Sequence, residues 1–198
     1  MKQTLPFKEE WWDHIRFLLI NHLNCGCCIK TIDAFSNCPN FFENWLIAEF
    51  VSVLKDIGNL TIKLNSNFNN LPKVDIRISC QDEDNNEYNC IIEVKHISTN
   101  SPNAKKRLFH KGNSESSVIN DYRKLQSALN NEALFKIIVL YGPAREQHSD
   151  ACNSENINSV TCVINKLKEK TTNNISYYSL QANGMFLFDI SVDNNSTT

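Results

Sequence analysis

Two stretches decide the fold: Lys73-Val74-Asp75-Ile76-Arg77-Ile78-Ser79-Cys80 and Tyr88-Asn89-Cys90-Ile91-Ile92-Glu93-Val94-Lys95-His96-Ile97. In the first, Val74, Ile76 and Ile78 alternate with Asp75, Arg77 and Ser79. This period of two predicts a half-buried strand over 73–80. The second predicts a strand over 88–97, with Cys90, Ile92 and Val94 on one face and Ile91, Glu93 and Lys95 on the other. Between them runs a polar turn, 81–87, centred on Asp84. An antiparallel register about that centre sets Asp75 opposite Glu93, with Cβ atoms roughly 5 Å apart. Two facing carboxylates repel unless a positive charge lies between them, and a divalent cation supplies it. Lys95 follows two residues after Glu93 and projects from the same face.

Outward from this hairpin the period changes. Residues 7–22 and 41–57 have helical spacing, the second opened by Asn40 as N-cap and closed by Gly58. A loop holding Gly26 and the cysteines is expected between them. Residues 60–65 alternate as a strand, and 65–70 reads as a polar loop. After the hairpin come a loop over 98–113 and a helix near 115–130, with Val118, Tyr122, Leu125 and Leu129 on one face. A buried strand over 135–141 follows, stopped by Gly142-Pro143. A helix at 155–169 and strands at 175–180 and 185–192 complete the pattern. The expectation is one α/β domain over 1–192, a mixed central β-sheet flanked by α-helices. It has an N-terminal helical part to about residue 57 and a disordered tail at 193–198.

Composition sets limits. The chain has 198 residues, 41% hydrophobic and 21% charged, with net charge −2. That suits one globular domain and lacks the basic excess of a simple DNA-binding module. No run is long enough to span a bilayer, and the acidic, tryptophan-bearing N-terminus is unlike a signal peptide, so a cytoplasmic location without membrane partners is expected. Of the eight cysteines, Cys25 and Cys28 have zinc-ligand spacing, but Cys38 stands alone and no second pair follows. Free, mostly buried thiols are the plainer expectation, and a zinc module at 25–38 is the alternative.

Glu49 lies inside the apolar arc of the 41–57 helix, near Phe42, Trp45, Leu46 and Val53. A carboxylate there is costly unless it is paired or bound to a cation. Lys105, Lys106, Arg107, His110 and Lys111 form a basic cluster just after the second hairpin strand. Such a loop beside an acidic site would attract a phosphate backbone. Arg77, on the face of Asp75, and Lys124 with Arg123, on the next helix, are further candidates for phosphate contact. His96 faces away from Lys95 and is expected to be packed.

Taken in order, Glu49 in a helix, Pro72-Lys73-Val74-Asp75, Ile91-Ile92-Glu93-Val94-Lys95, a helix with Asp121-Tyr122-Arg123-Lys124-Leu125 and an apolar strand resemble the PD-(D/E)xK nuclease superfamily over residues 41–141. Here Lys73 and Val74 separate the proline from the acid. The resemblance implies a restriction-endonuclease-like fold and hydrolysis of phosphodiester bonds with Mg2+, for which Mn2+ can substitute. It implies Asp75, Glu93, the Val94 carbonyl and Glu49 as metal ligands, with Lys95 orienting water or neutralising the phosphate. Double-stranded DNA is the implied partner, cut by a homodimer because two strands need two sites, in restriction or another nucleic-acid defence. A repair or junction-resolving nuclease and an RNase are close variants. The alternative of another class is a catalytically silent nuclease-like domain that binds nucleic acid or protein.

Overall fold

The structure is a computed structural model that describes residues 9–35, 39–57, 60–81, 87–99, 104–109, 117–128, 133–142, 159–171, 175–182 and 184–192. The expected tail at 193–198 lies outside them, as do Cys38, Cys152, His110 and Lys111. Three helices come first: α1 (Glu9–Leu23), α2 (Gly26–Phe35) and α3 (Pro39–Ile57). They are followed by β1 (Thr61–Phe68), β2 (Leu71–Gln81), β3 (Glu87–Ser98), α4 (Ala104–Phe109) and α5 (Val118–Gln126). Then come β4 (Ala133–Gly142), α6 (Val160–Thr171), β5 (Ile175–Ser179) and β6 (Phe186–Ser191).

The strands form one six-stranded sheet in the order β1-β2-β3-β4-β6-β5. Only β3 and β4 pair in parallel, so the sheet is mixed and mostly antiparallel. The parallel step needs a crossover, and α4 and α5 lie within it. Strand alternation then builds two cores. Cys90, Ile92, Val94, Ile76, Ile78, Ile138 and Leu140 pack with α1, α2 and α3 on one face. Ile91, Ile97, Ile137 and Val139 pack with α4, α5 and α6 on the other. The result is a three-layer α/β arrangement.

Two expected loops are helical. Residues 26–35 form α2, because Cys25 acts as its N-cap: its carbonyl accepts from Ile29 N–H and its sulfur from Cys28 N–H. Cysteine is not a familiar capping residue, and Gly26 reads as a breaker, so the local sequence conceals this start. Part of 98–113 forms α4, anchored by buried Ala104 and Leu108. The loop expected at 65–70 shrinks to a turn, with Asn69 in the left-handed region at φ 50°. The expectation of free thiols holds for Cys25, Cys27, Cys28, Cys80 and Cys90, whereas Cys162 is disulfide-bonded.

The end of β4 is tightly filled. A Cβ added at Gly142 would overlap the Met185 Sδ and lie 3.2 Å from the Met185 Cα, and Met185 is buried. Gly142→Ala should therefore destabilise the chain by about 1–3 kcal/mol, the usual range for overpacking. Urea denaturation checks this, and an unchanged midpoint would mean that Met185 moves freely.

Candidate functional site

The pairing of β2 with β3 runs from Gln81 opposite Glu87 to Ile76 opposite Ile92. This is the register centred on Asp84, and its next step would face Asp75 with Glu93. The ladder ends there. The Asp75 Oδ2 accepts a hydrogen bond from the Val94 backbone N–H at 2.8 Å, so a side chain takes the bond that the strand would otherwise have received. The Val94 carbonyl leaves the same edge of β3, because the two backbone groups of an extended residue point the same way. Just upstream, β2 carries one extra residue against β1 between Ser66 and Phe68. Lys73, within this irregularity, has φ 46°. A lysine in the left-handed region is strained, and such strain gathers where a structure fixes a geometry for use.

Four charged side chains meet beside this fork in two crossed ion pairs. Lys95 Nζ lies 3.0 Å from Asp121 Oδ2, and Lys124 Nζ lies 2.5 Å from Glu93 Oε1. Lys124 also donates to the Lys73 carbonyl at 3.1 Å. Asp121 and Lys124 come from α5, whose N-cap Ser117 accepts from the Asn120 N–H and fixes where the helix begins. Glu93, Lys95 and Asp121 are all buried. Burial, then the charges of Asp75 and Asp121, push the Glu93 carboxyl up to about 8, against the lowering effect of Lys124. Burial and Asp75 likewise raise Asp121, although Lys95 and Lys124 oppose them. Burial alone would lower Lys95, but Asp121, Glu43 and Asp75 outweigh it and raise its pKa. Lys95 is thus an ammonium at neutral pH.

Glu43 completes the group. Its Oε1 accepts from the His96 backbone N–H at 3.2 Å and from the Arg107 guanidinium. Glu49, expected here, is elsewhere: its Oε2 lies 2.6 Å from the His22 Nε2 of α1. Glu43 and Glu49 are six residues apart, about 9 Å along a helix and about 120° around it. Both lie within the apolar arc of α3, so a helical wheel alone does not separate them. What separates them is the layer each one meets. Glu43 reaches β3 and α4, whereas Glu49 reaches α1.

The other predicted residues divide. Arg77 Nε donates to Asn89 Oδ1 at 2.8 Å, and its guanidinium stacks on Phe68. Arg107 is half-buried on Glu43 rather than presented as a loop cation. Lys105 and Lys106 are exposed on α4. His96 is buried and stacks on Phe42, with ring centroids 4.6 Å apart, as its inward face suggests. Asp121 and Glu43 were missed. Asp121 carried a signal, since it sits among the apolar positions of its helix.

The close-set groups that could hold a metal, among the described residues, are Cys25, Cys27 and Cys28 and the set His22, Cys28 and Glu49; the fork carboxylates do not form one as they stand. At the fork, Asp75, Glu93 and the Val94 carbonyl are oxygen donors, the kind Mg2+ prefers, while Glu43 is held by Arg107 and the His96 N–H and Asp121 by Lys95. The raised Glu93 carboxyl reflects burial first and the neighbouring Asp75 and Asp121 second. No family model, curated protein or solved structure matches the chain.

Proposed function

We propose that the chain is a PD-(D/E)xK-type, restriction-endonuclease-like nuclease that hydrolyses phosphodiester bonds in DNA with Mg2+. One observation carries this reading. At the point where β2 and β3 part, Asp75 and Glu93 meet Lys95, with Glu43 reaching in from α3. An ordinary solvated hairpin would expose such residues, yet Glu93 and Lys95 are 3% and 6% exposed. Burying this much charge costs stability and is usually retained for function.

Asp75, Glu93 and the Val94 carbonyl would hold the ion, which supplies Lewis-acid polarisation of the phosphate and a more acidic water. The chain's own residues do the rest. Lys95, held as an ammonium, offers positive charge to the phosphate as negative charge grows on it. Asp121 sets the direction of that ammonium through its ion pair. Glu43 holds Arg107 and the backbone of His96, fixing α4 and α3 against the end of β3. Lys124 neutralises Glu93 and can turn from it to a phosphate, because its side chain is 27% exposed. Lys105 and Lys106 add exposed positive charge on α4 for the nucleic-acid backbone. Two copies would be needed to cut both strands of a duplex.

The silent-domain reading draws on the same ion pairs, since Lys95 and Lys124 already neutralise two of the acids. Cleavage of supercoiled plasmid in Mg2+, against the same reaction in EDTA, separates the two. Nicking or linearisation should require the metal, and Asp75→Ala should remove it. Glu43→Gln should lower the rate by ~10–100-fold, the usual cost of losing a carboxylate that supports a metal site. A wild type that cleaves no faster than Asp75→Ala would end the enzyme reading and leave a binding domain.

A further inference from the structure

The residue displaced from the first site belongs to a second cluster, on the opposite layer. The last turn of α1 carries His22, α2 opens with Cys25, Cys27 and Cys28, and α3 carries Glu49. The ligand atoms of Cys25, Cys27 and Cys28 all lie within 4.8 Å of one another, and so do those of His22, Cys28 and Glu49. Cys28 is common to both triads and is buried, at 3% exposure. Donors around a tetrahedral zinc, at bond lengths of roughly 2.0–2.3 Å, stand about 3.3–3.8 Å apart. Each triad is compact and Cys28 belongs to both, so one ion would draw Cys25 toward the His22–Glu49 pair and part that pair from its 2.6 Å contact.

The chemistry is soft where the first site is hard. Thiolate sulfur and imidazole nitrogen select zinc over magnesium. Cys25 is prepared as a ligand, since its sulfur already accepts the Cys28 N–H at the start of α2, where the helix dipole favours negative charge. The His22 Nε2 and the Glu49 Oε2 lie 2.6 Å apart, so an imidazole nitrogen and a carboxylate oxygen already face each other beside Cys28. A zinc module confined to 25–38 lacks ligands, because Cys38 stands alone and no second pair follows it. The missing ligands come instead from upstream, on α1, and from the middle of α3.

We propose that Cys25, Cys28, His22 and Glu49 hold a structural zinc ion that ties α1, α2 and α3 together, with exposed Cys27 as a neighbouring thiol. Binding replaces the thiol protons of Cys25 and Cys28, while His22 would ligate through Nε2 with its ring proton on Nδ1, so zinc uptake is accompanied by proton release from the thiols. This site is independent of the phosphodiesterase reading.

The test uses the full chain, purified in reductant without chelator. Elemental analysis should find about one zinc per chain. After removal of zinc, Co2+ alone should produce a thiolate-to-metal charge-transfer band and tetrahedral ligand-field bands. Cys28→Ser should abolish both the zinc and the band, and Cys80→Ser should leave them. Glu49→Gln, which keeps the size of a side chain that is 25% exposed, should weaken zinc affinity by ~10–100-fold. Zinc below about 0.2 per chain together with no cobalt band would overturn the site. So would a thiol count showing Cys25 and Cys27 joined as a disulfide, or an undiminished cobalt band in Cys28→Ser.

Discussion

Lys95→Met should abolish plasmid cleavage, with a rate loss of ~10²–10⁴, the range for removing a positioned group that carries or balances charge in a transition state. The ammonium of Lys95 lies among Asp121, Glu43 and Asp75. The same substitution should destabilise the fold, because Asp121 would be left buried without its partner. Breaking a buried pair from one side costs about 3–5 kcal/mol. A second variant therefore separates chemistry from folding. Lys95→Met with Asp121→Asn removes both charges, and it should recover most of the lost stability while cleavage stays at background. The pairing is measured by thermal melting and the chemistry by the rate of loss of supercoiled plasmid. If activity returned along with stability, Lys95 would be a support for Asp121 and not a participant in catalysis.

The largest expected effect on folding alone lies at Asp189. This β6 carboxylate is 3% exposed, and its Oδ2 accepts from the Trp12 Nε1 at 2.7 Å and the Arg16 guanidinium at 2.9 Å. Both donors come from α1, so a single carboxylate clamps the first helix to the sheet. Arg16 has other support, from Asp13 at 2.6 Å and from the Tyr178 ring. Trp12 is fully buried. Asp189→Ala would leave the indole N–H without its acceptor and part of the guanidinium charge uncompensated. The expected cost is about 3–5 kcal/mol, or a fall in Tm of roughly 6–20 °C for a chain of this size. Asp189→Asn keeps an acceptor and should lose less than half as much. A melting point for Asp189→Ala within about 2 °C of wild type would show that α1 is held by its apolar face alone.

Asp189 also shows where sequence reading stops. It stands in Phe-Leu-Phe-Asp-Ile, which reads as an apolar strand with one polar position, and its partner Trp12 is 177 residues away. No local period links the two.

The sequence by itself determined the hairpin. The period of two in 73–80 and 88–97, with one polar turn between, set the register about Asp84, and the pairing of β2 with β3 follows it. That is why Glu93 and Lys95 share a face and Asp75 comes to the same fork. These residues are joined by a short turn, so local geometry is enough to place them. Tertiary structure decided which glutamate of α3 joins them. Glu43 and Glu49 both interrupt the apolar arc, and only the docking of α3 between β3 and α1 gives Glu43 to the fork and Glu49 to His22 and Cys28. It also set Lys105, Lys106 and Arg107 of the basic cluster on α4 in place of the expected loop, with Arg107 turned inward to Glu43. The physical reason is the same in each case. A helical wheel fixes angles about one axis, and what a buried carboxylate meets depends on the layer packed across from it.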